Sequence, residues 1–121
     1  QLTKLETFRF TNFPVYTKAK ELYGFVSSIS GSVKDYALQD QAKRAALSIV
    51  LNIAEGSAKK SDKEFARFLQ ISLGSVNELF ACSELMLSKR FIDKKEFDKL
   101  SEECMNIAKQ LGGFSKKLQN S

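Results

Sequence analysis

From Ser61 to about Lys89 apolar side chains return every three or four residues with no proline to interrupt them: Phe65, Phe68, Leu69, Leu73, Val76, Leu79, Phe80 and Met86. That is the period of an α-helix, on which such positions share one face. A helix of about 28 residues is about 42 Å long, and short connections between helices of that length favour antiparallel neighbours. The whole chain of 121 residues holds one proline and six glycines, too few for the frequent turns of an all-β domain. The expected fold class is therefore all-α.

Three more helices follow from edges and faces, all within a single domain spanning 1–121. The first is expected over 14–31, opening at Pro14, where a missing N–H costs nothing, and carrying Val15, Ala19, Leu22, Tyr23, Val26 and Ile29 on one stripe. The second is expected over 39–58. The third, 61–89, starts at Ser61-Asp62-Lys63-Glu64, which has the form of a capping box. The fourth, 93–118, opens on Asp93 as N-cap and has one clean stripe from Phe97 to Leu118. The architecture these imply is an up-down-up-down antiparallel four-helix bundle.

The second helix is unusual in being apolar almost all round. Leu38, Ala42, Ala45, Ala46, Ile49 and Ile53 form one face, and Leu47, Val50, Leu51 and Ala54 a second. In a four-helix monomer no member is surrounded, so the second face is expected to be covered by another subunit, together with Ile71 and Gly74 of the third helix. The remaining wedge, Gln41, Arg44, Ser48, Asn52 and Glu55, is expected to hold register through hydrogen bonds or ion pairs, with Arg44 able to reach Glu55 or Glu78. Gly56 marks either a turn or a point of close packing.

Histidine is absent, which excludes Ser-His-Asp and Cys-His nucleophile systems and histidine metal sites. Cys82 and Cys104 fall on apolar stripes and are expected to be free, buried thiols. No complete acid–base constellation is visible around Glu55, Glu78 or Glu84, so no catalytic residue, metal or cofactor is expected and the chain is read as non-enzymatic. No apolar stretch approaches the roughly 18 to 20 residues that crossing a bilayer takes, and a cytoplasmic location is expected. The net charge is +5 without a dense basic tail. Its densest segment is Lys59, Lys60 and Lys63 with Arg67 one turn on. With Lys43 and Arg44, these are the candidate contacts to nucleic-acid phosphates, repeated around a rim if the chain forms a ring.

The run Arg44-Ala45-Ala46-Leu47-Ser48-Ile49, then Asn52-Ile53-Ala54-Glu55-Gly56, Ser61, Lys63-Glu64-Phe65, Arg67-Phe68-Leu69, Leu73-Gly74-Ser75 and Glu78-Leu79, resembles the four-helix-bundle family encoded by intervening sequences of bacterial 23S rRNA genes, with its pattern RRAxSIxxNIAEG, S-x-KEF-x-RFL and LGS-x-x-EL. The resemblance implies a small cytoplasmic bacterial protein forming a ring-shaped homopentamer. It also implies kinship with the accessory variability proteins of diversity-generating retroelements, which bind nucleic acid and a reverse transcriptase. A protein partner of that reverse-transcriptase-like kind, RNA or DNA, and other copies of the chain are thus the expected partners. A protein-interaction or scaffold module without nucleic-acid binding is the alternative. Two departures stand out: Val50 where many members have proline, and Ser57-Ala58-Lys59-Lys60 in place of an aromatic-glycine-arginine segment.

Overall fold

The computed structural model of the chain describes residues 1–120. Its long helices are α2 (Pro14–Ile29), α3 (Tyr36–Ser57), α4 (Asp62–Ser88) and α5 (Lys94–Gln119), preceded by a single turn, α1 (Lys4–Thr7), and a 3-10 turn (Arg9–Asn12). Neighbouring helices run in opposite senses. From α3 to α4, Ser48 pairs with Ser75 near mid-helix and Gly56 lies against Phe65 and Phe68 at the end; from α4 to α5, Phe65 meets Phe114 and Phe80 meets Phe97. α2 closes the bundle against both α3 and α5.

The capping chemistry sets the boundaries. α3 starts at Tyr36, three residues before the expected 39, because the Asp35 carboxylate accepts the Leu38 N–H at 3.1 Å. α3 then continues unbroken through Val50. The Ser61 hydroxyl accepts the Glu64 N–H at 3.1 Å, but the reciprocal half of the expected capping box is missing, since the Glu64 carboxylate pairs with Arg67 instead. A complete box does form at α5, where the Asp93 side chain accepts the Glu96 N–H at 2.7 Å and the Glu96 side chain accepts the Asp93 N–H at 3.0 Å. α4 ends in a Schellman arrangement: Phe91 N–H to the Met86 carbonyl and Arg90 N–H to the Leu87 carbonyl, both 2.9 Å. Arg90 holds the left-handed position that glycine usually takes, at φ 61°.

One core runs through the four long helices, with Leu22, Ile49, Ile53, Phe65, Leu69, Leu79, Met86, Leu100, Ile107 and Leu111 shut off from solvent. Side-chain hydrogen bonds also stitch the helices together. The Ser72 hydroxyl donates to the Ile49 carbonyl at 2.8 Å, and the Gln70 amide donates to Ser115 Oγ at 2.9 Å. Cys82 and Cys104 are free and buried. Burial, with the Glu103 charge adding, pushes the Cys104 thiol up to about 12.

Glu103 is the odd polar group. Its Oε2 is buried without a hydrogen-bond partner among the described residues. Burial raises its carboxyl above the ordinary value of 4.5; the Glu21 charge also raises it, and Lys99 and Lys18 pull the other way. An acid whose folded pKa is raised keeps its proton longer in the folded state, so its contribution to stability falls as pH rises above 4.5 toward the folded value. Glu103→Gln is therefore expected to raise the melting temperature at about pH 7 and leave it nearly unchanged at about pH 4. An equal shift at both values would mean that the carboxyl is not penalised for its charge.

Candidate nucleic-acid interface

The bundle end that carries the α3–α4 connection is built by a close approach. A Cβ placed on Gly56 would sit 2.7 Å from Phe68 Cβ and 3.0 Å from Phe65 Cδ1. Glycine is needed here for room, as no glycine has positive φ, and of the two roles open to Gly56 the structure has the packing one. The tight corner lets α3 finish at Ser57 and α4 begin at Asp62 with four residues between. Arg9 crosses this end of α3, donating from Nε and Nη2 to the Ser57 carbonyl at 3.2 and 3.0 Å. Its guanidinium lies 5.4 Å from the Phe65 ring centroid. A cation on a helix's last carbonyl is favourable twice over, by hydrogen bond and by the helix dipole.

Around this corner Lys59, Lys60, Lys63 and Arg67 gather on the surface. Lys59 Nζ and Arg67 Cζ each lie 4.9 Å from the Phe68 ring centroid, which orders both heads. Arg67 also pairs with Glu64 at 3.3 Å. Through that hydrogen bond and its charge, Arg67 holds the Glu64 carboxyl below its usual value, with Lys59 and Lys63 adding to the effect. Lys60 and Lys63 are exposed.

Lys43 and Arg44 do not join this group. They lie about 20 Å back along α3 from its C-terminal end, and Arg44 is engaged with Asp40 at 2.7 Å rather than with Glu55 or Glu78. The (i, i+4) spacing of Asp40 and Arg44 outcompetes the longer reach. In their place the antiparallel fold supplies residues that sequence reasoning missed. The start of α2, the end of α3, the start of α4 and the end of α5 share one end of the bundle, so Lys116 and Lys117 arrive beside the α3–α4 corner. Asp62 and Lys117 line one groove there. Helix direction alone could have placed these two lysines. Nothing in the aperiodic first residues signals Arg9, although Thr3 and Glu6 form a capping box just before it.

The polar wedge divides. Asn52 Nδ2 donates to the Ser48 carbonyl at 2.9 Å and to Ser48 Oγ at 3.0 Å, and Ser48 meets Ser75 Oγ at 2.8 Å. Glu55 instead stands exposed at the rim, outside that network. On the outer face of α3 and α4, Leu47, Leu51 and Ile71 are 40%, 52% and 42% exposed. Gly74 opens onto space with nothing within 4 Å. Ala54 is half-buried and shares a groove with Phe8 and Phe10. Val50 requires a correction: at 7% exposure it belongs to the chain's own core, so its place on an outer face, read from helix angle, does not hold. In the folded chain α3 packs against α2, α4 and the 3-10 turn together, which closes over more of its circumference than a four-helix count suggests.

The model of the family described as 23S rRNA-intervening sequence protein matches residues 11–113. The chain belongs to that family. The matched span takes in all of α2 to α4 and most of α5, so Lys59, Lys60, Lys63 and Arg67 and the α3–α4 outer face lie on the family's own scaffold, while Arg9, Lys116 and Lys117 fall outside it. Among solved structures, this family member is similar to a protein with unknown function from the S23 ribosomal protein family of Bacteroides thetaiotaomicron VPI-5482, at 24% identity and a TM-score of 0.81, covering 84% of this chain and 98% of that one. A likeness at that identity speaks to the fold. No curated protein matches the chain. No helix among the described residues is long and apolar enough to cross a membrane.

Proposed function

We propose that the chain is a non-enzymatic, cytoplasmic member of its family that assembles as a homo-oligomer and binds RNA or DNA backbones through its basic end. The observation that carries the reading is the convergence of Lys59, Lys60, Lys63 and Arg67 with Arg9, Lys116 and Lys117 at one end of the bundle, where Glu55, Asp62 and Glu64 only partly offset them. Lysine heads suit phosphates and lack the aromatic platforms and fork geometry that base reading needs. Binding is therefore tolerant of sequence. Fluorescence anisotropy with a labelled RNA and a labelled DNA of mixed sequence, titrated across salt, tests it. Affinity should fall log-linearly with salt, with a slope of about −0.7 to −0.9 for each phosphate neutralised. No binding at low salt would remove the reading and leave the chain as a protein-interaction module, with a reverse-transcriptase-like enzyme as the partner its family resemblance suggests.

Assembly is supported by Leu47, Leu51 and Ile71, an apolar strip that the chain leaves uncovered, beside the open surface at Gly74 that would let a neighbouring backbone approach. A ring of five copies of the 13.6 kDa chain has a mass of about 68 kDa. Leu51→Glu, at a half-exposed position, should leave the helices intact and reduce the light-scattering mass to that of one chain. A mass of one chain before any substitution would contradict the covered face.

A further inference from the structure

We infer that the groove between the C-terminal half of α5 and the start of α2 is a docking site for an acidic amphipathic helix of a partner protein. The groove has a volume of about 660 Å³. Its floor is apolar, built on Phe13 and Phe114, whose rings meet edge to face at 5.3 Å, with Val15 and Leu118 beside them. Lys109 and Lys117 line it from α5, eight residues and about 12 Å apart on one side of the helix, and Pro14 lines it from α2.

Between the two lysines α5 carries Gly112 and Gly113. Each costs a helix interior about 1 kcal/mol relative to alanine, and neither has a local reason to be glycine. No glycine has positive φ, and a Cβ at either position would meet nothing within 4 Å. Gly113 also lines the groove. Bare backbone at the centre of an apolar trough suits the close approach of another helix from outside. The basic edge runs along the trough for more than two turns, so it complements a row of acidic side chains flanking an apolar stripe rather than a single charged head group. A nucleic-acid backbone has the charge but no apolar stripe to fill the floor.

The test is anisotropy of a labelled synthetic helix of about 14 residues, about 21 Å long, with leucine along one stripe and glutamate on both flanks, against the same peptide with lysine flanks. Saturable binding of the glutamate peptide, at least ten-fold tighter than the lysine peptide, is expected. Gly113→Phe should weaken it at least ten-fold while leaving the fold intact, since it replaces a poor helix former at an open position. Lys109→Glu with Lys117→Glu should reverse the preference between the two peptides. No saturable binding, equal binding of both peptides, or indifference to Gly113→Phe would overturn the proposal. So would a Gly113→Phe chain whose own oligomer mass changes, assigning the groove to a second copy, or saturable binding of laurate without the peptide, assigning it to a lipid.

Discussion

With Lys59, Lys60 and Lys63 all changed to glutamate, the chain is expected to bind a mixed-sequence RNA or DNA at least about a hundred-fold more weakly at moderate salt, with a correspondingly shallower salt slope. Each reversal removes two units of charge, which takes the chain from +5 to about −1 and turns the corner from attracting phosphates to repelling them. Circular dichroism and light-scattering mass should stay as they were. Lys60 and Lys63 are exposed and make no contact that holds α3 to α4, and Lys59 gives up its approach to the Phe68 ring and, with Lys63, a surface attraction to Glu64. Unchanged affinity would move the interface away from this corner. The same experiment on Lys43→Glu is expected to do little, because that residue lies on the helix shaft, about 20 Å from the corner.

The largest effect on stability is expected from a single methyl group. Gly56→Ala places a Cβ where Phe68 Cβ would be 2.7 Å away, and a Cβ cannot rotate out of the way. The ends of α3 and α4 must separate, disturbing the packing of Phe65 and Phe68 and the Arg9 contact to the Ser57 carbonyl. Overpacking of this kind costs about 1 to 3 kcal/mol, and a backbone-bound clash belongs at the upper part of that range, even against the roughly 1 kcal/mol that alanine contributes to a helix. A net loss of about 2 kcal/mol would lower the melting temperature by several degrees. Gly24→Ala, at an exposed position inside α2, is the matched control: the added atom meets nothing within 4 Å, so the same chemical change should be neutral or stabilising by up to about 1 kcal/mol. Equal effects at the two positions would show that helix propensity, and not the corner, governs Gly56.

The contrast between these glycines marks the reach of periodicity. A 3.6-residue repeat sustained over 16 to 27 residues is hard to produce in anything but a helix, and it locates all four long ones. It does not separate Gly56 from Gly24, since a glycine's reason lies in the residue opposite, across another helix. Start signals are clearest where the cap is local: Asp93 and Glu96 close their box within one turn, whereas Asp35 starts α3 three residues ahead of the visible apolar pattern. Val50 faces outward when α3 is drawn as an isolated wheel and lies inside in the fold, because α2 and α4 together close over more of α3 than one apolar stripe. Half of the basic site is legible as adjacent lysines. The other half, Arg9 with Lys116 and Lys117, exists only after folding brings both terminal segments to one end.

Cys104 has a use as a clock. A thiol reacts with alkylating reagents as its thiolate, and this one combines 2% exposure with a proton held up to about 12, so in the closed bundle it is chemically silent. Modification must pass through molecules in which α4 and α5 have parted. Its labelling rate at a fixed pH then reads the frequency of that parting.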